Sequence, residues 1–155
     1  MTKQKSSPLN QFVHYPHGDS FSNWLEYEVT STGHASEGPS VIRMPIQEKH
    51  ISPAGTLHGG ILSALFDIGF GVCVFSKLSK EDWCATLEMK VQFLKPIRLK
   101  DVLTIETTAV FEGRSIIALQ AFGYVEGSEG AVAMSSGTFI LKRAEKTMKK
   151  PNFKE

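Results

Sequence analysis

The sequence predicts an α+β domain: one long central helix wrapped by a curved antiparallel sheet of about six strands. Three observations predict it. The stretch "GTLHGGILSALFDIGFGVCVFSKL", Gly55 to Leu78, has helical length and no clean polar face. A helix apolar all round is surrounded by protein. The remaining regular segments have strand length, and they are joined by "EGR" and "EGSEG", which is tight-turn chemistry. Such turns imply antiparallel hairpins, whereas parallel strands would need crossover helices between them.

The elements follow in order. Residues 1–18 are polar, carry Pro8 and Pro16, and read as a loose arm. "DSFSNWLEYEV" opens a short helix, because Asp19, Ser20 or Ser22 can cap it and Phe21, Trp24 and Leu25 recur at helical spacing. Two strands, about Glu26 to Ala35 and Ser40 to Pro45, flank the turn-rich "SEGP". "QEKHISPAGT" is a loop, and the long helix starts near His58. Gly59, Gly60, Gly69 and Gly71 carry no side chains and let other backbones approach that helix. In "TLEMKVQF", Leu87, Met89, Val91 and Phe93 point one way and Thr86, Glu88, Lys90 and Gln92 the other, the period of a strand. "DVLTIETTAVF", "SIIALQAFGYV" and "AVAMSSGTFILK" supply three more strands. The folded domain therefore spans 19–142, followed by a charged tail over 143–155 with no internal repeat.

Composition narrows the function classes. A length of 155 residues suits one domain with a sizeable core. The content is 41% hydrophobic and 21% charged, ordinary for a soluble globular chain. A net charge of +1 argues against a general electrostatic grip on nucleic acid. "MTKQKSSPLNQF" has no apolar signal core, and Ile61 to Phe75 is broken by Asp67 and too short to span a bilayer. Cys73 and Cys84 lack metal-ligand spacing and read as reduced thiols. The expectation is a cytoplasmic, soluble protein with no membrane or nucleic-acid partner.

Asp67 is the residue that this helix does not explain. Aspartate is a poor helix former and poor core material, and a structural role would need a donor partner that the helix itself does not offer. Carboxylates in such settings concentrate at working sites. His58 and the glycines stand at the start of the same helix, where free N–H groups and partial positive charge favour an oxyanion. The amides of Gly59 and Gly60 are thus candidate oxyanion donors, and Asp67 is a candidate nucleophile or general base on a carbonyl. Eight residues separate Gly59 from Asp67, roughly 12 Å along a helix axis. One carbonyl cannot reach both groups of one helix, so the sequence predicts a symmetric dimer with two sites at its interface.

"GTLHGGILSALFD", "ATLEMKVQFLKPI" and "GTFILK" together resemble the hotdog-fold acyl-CoA thioesterases of the PaaI type, over about residues 20 to 142. The resemblance implies a hotdog fold, paired into homodimers and often homotetramers. It implies hydrolysis of an acyl-CoA to free acid and CoA, with no metal and no cofactor apart from the coenzyme A of the substrate. It assigns Asp67 as nucleophile or general base and Gly59 as the amide that polarises the thioester carbonyl across the interface. His58 supports the loop, and Thr86 orients the water or carboxylate. Ser52 stands where many members have an asparagine that helps position the lytic water, so that role is open here. Arg114, then Lys95 and Arg98, are the candidate cations for the CoA phosphates; Phe66 and Phe70 are candidate walls of the acyl pocket, with core packing as the preferred alternative for either. The alternative is a non-catalytic acyl-CoA-binding or ligand-sensing hotdog protein. A dehydratase or hydratase is a third reading, although those sites pair a catalytic histidine with a helix acid and His58 lies at the helix start instead.

Overall fold

The computed structural model describes residues 19–33 and 38–144. The arm, residues 34–37 before the expected "SEGP" turn closes, and the tail beyond 144 lie outside them. Helix α1 spans Ser20–Leu25 and is capped by Asp19, whose side chain accepts the Ser22 N–H. It ends at Glu26, which takes a left-handed φ of 58°. That cap delays the first strand, so β1 covers Glu28–Thr32 rather than starting at Glu26. Strand β2 (Ser40–Pro45) leads to a 3-10 turn at Glu48–His50 and then to α2, Gly59–Phe75. Strands β3 (Trp83–Phe93), β4 (Val102–Glu112), β5 (Ile116–Val125) and β6 (Ala133–Lys142) follow.

All six strands form one antiparallel sheet in the order β1-β2-β4-β5-β6-β3. Hairpin connections join β4 to β5 and β5 to β6 through the "EGR" and "EGSEG" segments, with Gly127 and Gly130 at positive φ in the second. β3 instead crosses to the far side of β6, which leaves its own outer edge unpaired among the described residues.

Alternation sends one face of each strand onto α2. Ile117, Leu119 and Ala121 of β5 and Ala133, Phe139 and Leu141 of β6 are buried with Leu65, Phe66 and Phe70 of the helix. Burying a side chain such as Phe66 is worth about 1.5–3 kcal/mol, and both Phe66 and Phe70 are 0% exposed. The sheet approaches the helix closely enough to dictate residue size. A Cβ at Gly137 would lie 2.7 Å from the Phe70 ring and 3.1 Å from the Glu88 carbonyl oxygen. A Cβ at Gly69 would lie 3.0 Å from the Thr107 hydroxyl.

Strand β3 departs from strict alternation. Its register with β6 shifts between Thr86 and Glu88, so Thr86 pairs with Phe139 and Glu88 with the adjacent Thr138. This β-bulge absorbs Leu87, which is 55% exposed. Thr86 therefore does not share the face of Glu88, Lys90 and Gln92. It turns to the helix side, as bulges re-aim the side chains beside them.

Gly137→Ala is expected to destabilise the fold by roughly 1–3 kcal/mol, the usual cost of overpacking a filled core. A lowered urea midpoint with unchanged slope would register it.

Candidate active site

The bulge brings a hydroxyl to the carboxylate. Thr86 Oγ1 donates to Asp67 Oδ1 at 2.7 Å, the short range of a charge-assisted bond. This supplies the donor that α2 alone does not offer, and it comes from the next strand. Asp67 is half-buried rather than enclosed. It opens into a cavity of about 310 Å³. From α2 the lining includes Ala64, Ile68, Gly71 and Phe75, from β3 Cys84 and Ala85, from β6 Phe139, and from α1 and its cap Phe21, Ser22 and Asp19. Burial, and then the nearby Asp67 charge, push the Cys84 thiol up to about 11. Cys84 is thus protonated at neutral pH and is no competing nucleophile.

The start of α2 is built by His58 and its loop. His58 is the N-cap, and its Nδ1 accepts the Gly60 N–H at 3.0 Å. The His58 carbonyl takes the N–H groups of Ile61 and Leu62. Only the Gly59 N–H is left with no acceptor among the described residues of this first turn. Two glycine amides were expected as oxyanion donors. The structure commits that of Gly60 to the histidine cap and leaves that of Gly59. Gly59 is held by Ser63, whose hydroxyl donates to its carbonyl at 2.9 Å, and the Phe93 ring lies 3.4 Å from where its Cβ would be.

Gly59 is not part of the Asp67 cavity lining. Within one chain the donor and the carboxylate stay apart, as the helical rise requires. A second cavity of about 290 Å³ lies nearer the helix start, lined by Thr56, Leu57, Leu62, Phe93, Leu94, Lys95, Pro96 and Ile97.

The other expected site residues fall in different places. Ser52 is spent on its own turn: its hydroxyl accepts the Ala54 N–H at 3.3 Å and its backbone bonds Thr56 and Gly55. It lines neither cavity. Phe66 and Phe70 also line neither, because both are packed into the core beneath the sheet. Lys95 lines the second cavity while its ammonium donates to the Glu129 carbonyl. Arg98 is exposed beside it in a turn closed by Asp101. Arg114 is exposed at the β4–β5 turn.

One residue of the site's support is absent from any sequence expectation. His50 is 0% exposed, and its Nδ1 accepts the Gln47 N–H at 3.1 Å. Its ring meets Trp24 of α1 edge-on at 5.5 Å, and its carbonyl accepts the His58 N–H at 2.9 Å. His50 thus ties α1 to the cap of α2. Desolvation by burial, with help from the Lys49 charge, lowers its pKa below 6.5, against a weaker opposing pull from Glu26. In a single sequence a histidine within "QEKHIS" carries no mark that separates it from a solvated loop residue.

Comparison with known proteins identifies the family and the fold. The thioesterase superfamily profile matches residues 54–131, half of the chain. The chain is 32% identical over 107 residues, 68% of its length, to a protein of Saccharolobus solfataricus named as a candidate esterase, of which it covers 74%. A similarly named protein of Pseudomonas aeruginosa is 31% identical over 65% of the chain and 74% of its own length. Among solved structures, a point mutant of the phenylacetic acid degradation protein PaaI from Thermus thermophilus superposes with TM-score 0.68 at 23% identity, covering 81% of this chain and 100% of that one. A hypothetical thioesterase protein of Streptococcus pneumoniae, solved with coenzyme A, superposes with TM-score 0.67 at 25% identity, over 77% of this chain and 92% of that one. The fold is the hotdog fold, and the chain belongs to the thioesterase superfamily. Among the described residues no helix is long and apolar enough to cross a membrane.

Two outcomes are expected from the titrations. Alkylation of Cys84 by iodoacetamide should be slow at pH 8 and accelerate only as pH nears about 11. Mass spectrometry of the Cys84 peptide reads this. For His50, the unfolded chain gains a proton below about pH 6.5 that the folded chain resists. Stability is therefore unaffected by this group above that pH and falls as pH drops below it. Thermal melts across that window should show a slope that flattens in His50→Gln.

Proposed function

We propose that the protein hydrolyses an acyl-CoA thioester to free acid and CoA, with Asp67 as the acting carboxylate. The observation that carries this reading is the Thr86–Asp67 hydrogen bond at the edge of a cavity with apolar walls. Thr86 holds Oδ1, which leaves Oδ2 as the atom that acts. It takes a proton from water as the water adds to the carbonyl, or it adds to the carbonyl itself. In the first route the tetrahedral oxyanion collapses, the C–S bond breaks, and CoA leaves as a thiolate that takes up the proton Asp67 accepted; in the second, the same collapse leaves an acyl-Asp67 anhydride, which water then hydrolyses to the free acid and the restored carboxylate. The Gly59 amide at the head of α2, without an acceptor among the described residues, supports the role of oxyanion donor, supplied on this reading by a second copy of the chain. Membership of the thioesterase superfamily and the coenzyme A bound by the S. pneumoniae neighbour support the substrate class.

The separation of Gly59 from Asp67 within one chain supports a site whose two groups come from two copies of the chain. The unpaired edge of β3, with Trp83, Leu87 and Phe93 exposed along it, supports a second copy pairing there. Lys95 beside the second cavity, with Arg98 and Arg114, supplies cations for the CoA phosphates on this reading.

Asp67→Asn should lower kcat by about 10²–10⁴-fold, the usual worth of a positioned base, with an unchanged melting curve. Thr86→Ala should cost roughly tenfold, the value of one hydrogen bond to a charged group. Release of CoA thiol from a panel of acyl-CoAs, followed with a thiol-trapping dye, reads both. Wild-type turnover in Asp67→Asn would end this mechanism, and tight binding without CoA release would favour a ligand-sensing protein.

A further inference from the structure

The Asp67 cavity has one wall that comes from outside the sheet-and-helix core. Helix α1 contributes Phe21 and Ser22 to the lining, and its cap contributes Asp19. This wall is fixed. Leu25 is 0% exposed and Ser22 is buried, so two side chains root α1 in the body of the fold. Trp24 stacks on Phe21 at 6.3 Å and rests on His50, with the Lys49 ammonium 5.3 Å from its ring. The Phe21 ring is thereby held between the cavity and solvent, 49% exposed.

A second boundary is set within α2. Gly71 and Phe75 both line the cavity, and a Cβ at Gly71 would lie 3.3 Å from the Phe75 ring. The ring folds back over a position that has no side chain. At about 310 Å³ the space is at the small end for ligand pockets, which run from about 300 to 1,000 Å³. Its charge is one-sided as well: Asp19 and Asp67 line it, and among the described residues no lysine, arginine or histidine does.

We infer that the acyl group lies between α1 and α2, that Phe21 and Phe75 set its maximum length, and that it is a compact, uncharged, apolar group. This assignment rests on the hydrolase reading above. A long chain meets the Phe21 ring, and an acyl group with its own carboxylate meets two like charges with no counter-ion among the described lining residues.

The test compares wild type with Phe21→Ala, Phe21→Trp and Asp19→Asn, the last of which keeps the helix cap. The kcat/KM is measured for straight-chain acyl-CoAs from acetyl to dodecanoyl, and for succinyl-CoA against butyryl-CoA. In parallel, calorimetry follows binding of the matching non-hydrolysable acyl-CoA thioethers. Phe21→Ala should move the optimum to longer chains by at least about tenfold in relative kcat/KM, and Phe21→Trp should move it to shorter ones; one methylene in an apolar pocket is worth about 10–200-fold. Succinyl-CoA should be at least about tenfold poorer than butyryl-CoA, with the gap narrowed in Asp19→Asn. Identical chain-length profiles in all three Phe21 forms, by turnover and by binding, would overturn the wall. Equal use of succinyl and butyryl thioesters would overturn the charge selection. If no thioester is cleaved but thioether binding shifts with Phe21 as stated, the hydrolase reading falls and the wall stands.

Discussion

The close approach of β6 to α2 at Phe70 and Gly137 governs how everything else is arranged. A helix with no polar face has to be covered on nearly all sides, and the sheet can wrap it only where its own residues stay small. Gly137 against the Phe70 ring and Gly69 against Thr107 are the points where the two layers come nearest. The cover is incomplete along the side of α2 toward β3 and α1. Asp67 sits in that gap, half-exposed and bonded to Thr86. The desolvation that would make a carboxylate intolerable in such a helix is relieved by opening to the cavity and by one strong donor.

Much of this was legible beforehand, and the particular residues tell why. The apolar span from Gly59 to Phe75, its start at His58, the capping Asp19 and the hairpins at "EGR" and "EGSEG" are all local patterns, and local patterns survive folding. Asp67 stood out because its chemistry conflicts with its neighbours. What escaped the sequence depends on which atoms meet. The bulge at Leu87 is invisible in a segment that alternates well, yet it reverses the facing of Thr86. Whether Gly59 or Gly60 keeps a free amide is decided by the ring orientation of His58. Phe66 and Phe70 take the core positions that an all-round apolar helix favours, whereas Phe21, far off in sequence, faces the cavity and carries no local sign of it.

A relay of ordinary contacts joins the parts that make the site. Trp24 rests on the His50 ring, the His50 carbonyl holds the His58 N–H, and His58 caps the helix whose first amide is Gly59. The wall of the cavity and the head of α2 are therefore one mechanical piece. Displacing α1 disturbs His50, and through it the cap that shapes the first turn of α2. On the reading proposed above, recognition of the acyl group and polarisation of its carbonyl would share a single support, while serving sites in different copies of a dimer.

The extra residue in β3 has a consequence for how this architecture diversifies. Removing Leu87 would set Thr86 next to Glu88 in regular alternation with both pairings to β6 kept, so a sister chain one residue shorter presents the same hydroxyl to the same acid. A chain of this length that paired without the bulge would instead turn the threonine to solvent and leave the acid without its donor. On this scaffold a shift of one in strand alternation can therefore move the chemistry while every side chain of the site is still present.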